Sequence, residues 1–272
     1  MNKAIAIIQA RTSSSRLLGK VLKNLAGKPM IWHIYQRALA CENVDKVIVA
    51  TSIEKSDDEL VEYCINNNLN VFRGSLNNVL KRFIRILETE EHKYFVRITG
   101  DCPLIYPHFI DSQIEALNTF DGDFVWAPTF GALYEGQGVM SARLLMSIFE
   151  KSKDPRDLEH VGSNYIINHP KDFRIVDFKI PENLIFNDFR ITVDEENDYK
   201  LMQMIYKDLW NGNIIELHEV VKYLLNKPKI NEINKGIRHK KFNLEVIEKR
   251  SNWNTLAKVG EYHYHDNLFD LK

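Results

Sequence analysis

An α/β fold, doubly wound around a mostly parallel sheet, is what this sequence predicts, and three observations carry the prediction. Short apolar runs rich in β-branched residues alternate with amphipathic segments of helical length from Ala4 to Ala127. The first run, Ala4-Ile5-Ala6-Ile7-Ile8, is apolar at every position, as in a strand covered on both faces. The helical segments between runs are long enough for crossover connections, which a parallel sheet requires.

Taken in order, Ala4–Ile8 is the central strand. Gly27-Lys28-Pro29 then punctuates the chain, and Pro29 fits the first turn of a helix in which Ile31, Ile34, Ala38 and Cys41 share a face. Asp45–Thr51 is a second buried strand. Ser56-Asp57-Asp58-Glu59 supplies an N-cap and first-turn acids for a helix reaching about Asn67. A short strand at Asn70–Arg73, an amphipathic helix from Leu76 to Glu91 and a strand at Lys93–Thr99 follow. A helix over Pro107–Asn118 and a strand at Asp123–Ala127 continue the alternation. Residues 128–140 hold three glycines and a proline and read as a long loop or irregular hairpin, a place where α/β enzymes often enclose a substrate. Beyond it come helices from Arg143 and Asp154, strands at Phe173–Ile180 and Phe189–Asp194, and a helix over Tyr199–Trp210. Near Lys227 the composition turns polar, so residues 1–226 are expected as the main domain and 227–272 as a small extension packing on the core or on a partner subunit. Tyr262-His263-Tyr264-His265 in that extension reads as an exposed strand rather than a metal site.

The candidate chemistry lies where strands end. Gln9-Ala10-Arg11 leaves the first strand, and three serines, Arg16, Gly19 and Lys20 follow. In open α/β sheets ligands bind outside the carboxyl ends of the strands. Three cations with hydroxyl and backbone donors there suit a polyphosphate. Two familiar phosphate loops are excluded: a Walker A loop would need Gly at 14 and Ser or Thr at 21, where this chain has Ser14 and Val21, and no G-x-G-x-x-G is present. Asp101, after Thr99-Gly100, and Asp194 would reach the same edge. Polyphosphate is usually handled with Mg²⁺, which takes one or two carboxylates together with phosphate oxygens and water.

Composition bounds the partners. The chain has 272 residues, 44% hydrophobic and 27% charged, with a net charge of −1, which argues against a nucleic-acid binder. Cys41, Cys64 and Cys102 show no C-x-x-C spacing, and the five-residue apolar run near the start is too short for a secretory signal. No apolar stretch approaches the roughly 20 residues of a membrane span. A cytoplasmic protein with reduced thiols and no membrane partner is the expectation.

Ile8-Gln9-Ala10-Arg11, Ser15-Arg16-Leu17-Leu18-Gly19-Lys20, Val71-Phe72-Arg73-Gly74-Ser75, Val79–Phe83, Arg97–Ile105, Glu159-His160-Val161 and Arg190–Asp198 together resemble the motifs of the sugar-acid cytidylyltransferases. The similarity is greatest to the spore-coat polysaccharide biosynthesis protein F group, and it runs from residue 3 to about 235. It implies a Rossmann-like, nucleotide-diphospho-sugar transferase type of sheet, a homodimer, and an enzyme that condenses CTP with an acidic or phosphorylated sugar, releasing pyrophosphate. Residue by residue it implies Lys20, Arg11 and Arg16 as catalytic groups on the triphosphate. Gln9, Ala10, Ser15, Arg73, Gly74, Ser75, Arg82, Gly100 and Asp101 complete the nucleotide site. Asp101 and Asp194 are implied as Mg²⁺ ligands, and Gln137, Glu159, His160 and Arg190 as acceptor contacts. Leu18 stands where the group has proline, and Tyr134–Ser141 lacks its acidic pattern. A glycosyltransferase using Asp121-Gly122-Asp123 as a D-x-D metal motif is the alternative enzyme, and a non-catalytic nucleotide binder the alternative outside enzymes.

Overall fold

The structure is a computed structural model, and it describes residues 1–127, 133–186, 188–237 and 258–268. Of the segments singled out above, residues 128–132 of the long loop and residues 238–257 and 269–272 of the extension lie outside the described residues.

The predicted alternation folds as βαβ units. Strand β1 (Ala4–Gln9) leads through a loop and a two-residue ladder (Asn24-Leu25 with Lys28-Pro29) to helix α1 (Met30–Leu39). Then come β2 (Val44–Ser52), α2 (Asp58–Asn66), β3 (Val71–Gly74), α3 (Val79–Leu87), β4 (Tyr94–Thr99) and α4 (Pro107–Phe120). The second half holds β5 (Phe124–Trp126), β6 (Gln137–Ser141), α5 (Ala142–Lys151), α6 (Pro155–His160), α7 (Ser163–Asn168), β7 (Ile175–Lys179), α8 (Glu196–Leu209), α9 (Leu217–Asn226) and β8 (Lys258–His263). The sheet runs β8-β7-β5-β6-β4-β1-β2-β3. Every neighbouring pair is parallel except those made by β6, which is antiparallel to β4 and β5.

The central strand is buried as its composition demands, with Ala4 to Ile8 all at 0% exposure. Its alternate residues feed the two layers: Ala4, Ala6 and Ile8 pack with α1 and α4, while Ile5 and Ile7 pack with Phe83 of α3 and Leu144 of α5. Register aligns the strand ends, since Gln9 pairs with Ala50 and Thr99, and Ser52 with Gly74. Loops after β1, β2, β3 and β4 therefore open along one edge. Because β6 runs the other way, its first residue, Gln137, sits at that same edge beside Ile98.

Several expectations are corrected. Of the two readings of residues 128–140, the loop one gives way to the hairpin one: Gln137–Ser141 is an inner strand antiparallel to β5, and its Gly138 and polar ends hide a run only five residues long, in which Val139 and Met140 are buried. Phe189–Asp194 forms no ladder, because its backbone groups are claimed elsewhere: Val193 N–H donates to Asp101 O, and Arg190 O accepts from Asn234. Pro29 lies before α1 in the short ladder, its ψ of 150° being extended. In the C-terminal segment, Lys258–His263 adds the edge strand beside β7, and Tyr264 is buried at 1% exposure. No helix among the described residues is long and apolar enough to cross a membrane.

Candidate active site

The loop after β1 is built around Thr12. Its N–H and Oγ1 both donate to Asp57 Oδ1, at 2.7 and 2.8 Å, and its carbonyl accepts from the N–H groups of Ser14 and Gly19. Ser52, the last residue of β2, donates its hydroxyl to Asp57 Oδ2. Burial opposes the Asp57 charge, but these hydrogen bonds outweigh it and hold the carboxyl below its ordinary value. Sequence reasoning placed Asp57 in a helix cap; its side chain instead ties the cradle loop to the sheet, a contact 45 residues away in sequence. Gly19, at φ +63°, then turns the chain so that Lys20 points inward while Leu18 stays exposed.

Lys20 is buried, and its ammonium donates to three acceptors: Asp101 Oδ2 at 2.9 Å, Val193 O at 2.9 Å and Asp194 Oδ1 at 3.1 Å. The fold thus brings together all three of these charged residues, from loops 81 and 174 positions apart from Lys20. Arg16 reaches the same Asp194 Oδ1 at 2.7 Å, and Arg190 holds Oδ2 at 2.9 Å. Burial disfavours charge on Lys20, yet Asp101 and Asp194 overcome it and raise its pKa. Asp194 mirrors this: burial raises it, and Lys20, Arg16 and Arg190 pull it net below the usual carboxylate range. Arg11, in the same loop, is exposed and forms no ion pair among the described residues.

A buried frame positions Asp194. Arg190 Nε donates to Asp198 Oδ1 at 2.9 Å, and Asn234 Nδ2 donates to the same oxygen at 2.9 Å. Asp198 Oδ2 accepts the backbone N–H groups of Asp194 and Glu195, both at 3.0 Å. Arg190 is therefore a positioning residue with its guanidinium committed inward, where an acceptor contact was expected. Asp198 and Asn234 escaped sequence reasoning. The signal available for Asp198 was the i, i+4 spacing from Asp194 at a helix start, while nothing local marks Asn234.

The remaining predicted residues divide. Gln9 Oε1 accepts from Arg97 at 3.2 Å, and Gly100 N–H donates to Gln9 O, bringing the ends of β1 and β4 into contact. A Cβ on Gly100 would lie 3.0 Å from both Gln9 O and Ala10 Cβ, so a larger residue would need these neighbours to move apart by a few tenths of an ångström. Arg82 crosses Gly74 so closely that a Cβ there would meet its Cγ at 2.6 Å. Its Nη1 donates to Ala50 O, its Nε is buried without a partner among the described residues, and burial pulls the guanidinium down to about 10. Arg73 is tied to Ser52 O, Glu54 O and Asp58, and Ser75 Oγ accepts from Asn78 N–H, while Ser15 is exposed in the cradle loop. Gln137 Oε1 accepts from Tyr106 N–H, and its buried Nε2 has no partner among the described residues. Glu159 and His160 are exposed at the end of α6, whose buried acid is Asp157, bonded to Ser152 and Tyr165. Asp121 and Asp123 pair with Lys93, Arg174 and Arg143 at the end of α4, near Asn2 and so at the opposite edge of the sheet. Their commitments and position remove the D-x-D reading.

Paired carboxylates and a basic loop at the carboxyl edge of a doubly wound sheet make up a nucleotidyltransferase. The sequence profile of the family described as "Cytidylyltransferase" matches residues 5–240. An uncharacterised protein of Methanocaldococcus jannaschii is 34% identical over 242 residues, 88% of this chain and 98% of that protein. The Bacillus subtilis spore coat polysaccharide biosynthesis protein SpsF is 31% identical over 233 residues, 84% of this chain and 96% of SpsF. Among solved structures, a cytidylyltransferase from Leptospira borgpetersenii superposes with a TM-score of 0.78 at 24% identity, over 88% of this chain and 100% of that one, a likeness of fold. The chain belongs to the cytidylyltransferase family.

Proposed function

We propose that this enzyme transfers the cytidylyl group of CTP to an acidic sugar or sugar phosphate, releasing pyrophosphate and yielding a CMP- or CDP-activated precursor of a surface glycan. The observation that carries the reading is the Lys20–Asp101–Asp194 cluster beside Arg11 and Arg16 at the ligand edge of the sheet. The name of SpsF supports a polysaccharide product. The 3-deoxy-manno-octulosonate cytidylyltransferase of Escherichia coli, 33% identical over 43% of this chain and 47% of its own length, supports a sugar-acid acceptor.

The donor set fits Mg²⁺. Asp101 and Asp194 supply hard oxygen ligands, and Asp101 Oδ1 meets only the thiol of Cys102, at 3.6 Å, among the contacts of the described residues. Bound there, Mg²⁺ would offset charge on the triphosphate. The chain's own residues do the rest. Arg11 and Arg16 hold the phosphates, and the cradle loop, fixed by Thr12 and Asp57, keeps them in place. Gly100 lets the Asp101 loop approach the Ala10 loop. The acceptor oxygen bonds to the α-phosphorus, its proton passes to solvent, and the bond to the β-phosphate oxygen breaks as pyrophosphate leaves. Positioning and charge neutralisation supply most of the rate in such transfers.

Pyrophosphate release, measured for each nucleoside triphosphate against a panel of acidic and phosphorylated sugars, tests the reading. Release with CTP and at least one such acceptor is expected. Turnover with a different triphosphate, or only with neutral sugars, overturns it.

A further inference from the structure

The position expected of a divalent cation, between Asp101 and Asp194, is held in this structure by the Lys20 ammonium. We infer that Lys20 is an internal counter-ion that keeps the carboxylate pair closed to metal until a triphosphate draws it away. The inference rests on the reading of Asp101 and Asp194 as the cation-binding pair.

Three facts lead to it. The ammonium has three N–H groups and three acceptors, at 2.9, 2.9 and 3.1 Å, so no donor is left for a phosphate while the contact persists. Lys20 is 8% exposed, so it is already desolvated, whereas Mg²⁺ gives up its water reluctantly. The cluster is also balanced: Lys20, Arg16 and Arg190 face Asp101, Asp194 and Asp198. A divalent cation alone would leave that neutral, largely buried group with two uncompensated positive charges. A triphosphate arriving with the metal supplies the missing negative charge and gives the ammonium new acceptors. Metal and nucleotide are thus coupled through one side chain, and metal alone binds weakly. A latch closed about nine-tenths of the time weakens apparent metal affinity about tenfold.

Mn²⁺ binding to the nucleotide-free protein, read by the loss of the free-ion electron paramagnetic resonance signal, tests this. Lys20→Met should bind Mn²⁺ about tenfold more tightly than the unsubstituted protein, and CTP should raise affinity less in the variant than in the original. Equal or weaker Mn²⁺ binding in the variant overturns the inference. A second measurement needs no substitution. Acylation of Lys20 by an N-hydroxysuccinimide ester, followed by peptide mass spectrometry, should be slow in the nucleotide-free protein. Saturating Mn²⁺ should speed it several-fold, and an unchanged rate overturns the inference. Thermal shift by CTP is recorded alongside: its absence refutes the functional reading, whereas a normal CTP shift with unchanged Mn²⁺ affinity refutes the latch alone.

Discussion

Asp198 shows how a side chain that touches no substrate can decide a site. It is 1% exposed, pairs with Arg190, accepts from Asn234 and gathers the N–H groups of Asp194 and Glu195. Removing its charge takes one carboxylate partner from the buried Arg190 guanidinium, a change that typically costs about 3 kcal/mol. Asp198→Asn should therefore lower unfolding free energy by about that amount in urea titrations and also reduce turnover, because Asp194 loses its backbone anchor. Asn234→Ala should be milder, on the order of 1–2 kcal/mol for two lost hydrogen bonds. Full stability and full turnover in both variants would show that Asp194 positions itself.

Two meetings between elements each make a prediction. The ends of β1 and β4 touch at Gly100, whose missing Cβ is what permits the Gly100 N–H to Gln9 O bond. Gly100→Ala should push the Asp101 loop away from the Ala10 loop by a few tenths of an ångström. A fall in kcat/KM on the order of tenfold is expected with the protein still folded; an unchanged value would show that the loops have slack. The second meeting is between α1 and the short ladder before it, where His33 Nε2 donates to Leu25 O at 2.8 Å. Burial pushes this imidazole down to about 4, against an ordinary value near 6.5. Its folded value lies below its unfolded value, so the unfolded chain binds the proton more readily between those values, and stability falls as pH drops through that window. Urea unfolding should show a loss of about 2 kcal/mol from His33 between pH 7 and pH 5. His33→Gln should flatten that part of the slope.

On the scale of the whole molecule, β8 completes the sheet although it lies past the expected boundary at residue 226. Tyr262 stacks on Phe178 at 5.4 Å, Tyr264 is buried against Phe109 and Tyr134, and Asp266 accepts from both Tyr106 and Tyr264. Ending the chain at residue 257 exposes those rings and leaves the Tyr106 hydroxyl without Asp266. The loss of a buried tyrosine and its hydrogen bonds is worth about 3 kcal/mol, so a melting temperature lower by several degrees is expected by calorimetry. The loops proposed to hold the nucleotide follow β1 to β4, so the CTP-induced thermal shift should survive. Its disappearance in a truncated protein that remains folded would place the C-terminal segment in the nucleotide site.

The sequence alone determined the sheet class, the central strand and the edge at which the cationic loop opens. An all-apolar run such as Ala4–Ile8 has few alternatives to a doubly covered strand, and basic residues immediately after it can only lie at that strand's end. It also marked Lys20, Asp101 and Asp194, because each follows a punctuated strand or an extended segment. Tertiary structure alone decided what these groups do to one another. That Lys20 closes the gap between two carboxylates, that Arg190 faces inward and that Asp57 anchors a distant loop all depend on distances between segments brought together only by the crossovers. The same holds for β6, whose five residues become a strand by filling the space between β4 and β5. It holds too for Phe189–Asp194, which is denied a ladder because Asp101, Lys20 and Asn234 take its backbone groups. Local periodicity records which residues seek the interior, but the partner of a buried charge is set by the fold, since only packing decides which opposite charge is left within reach.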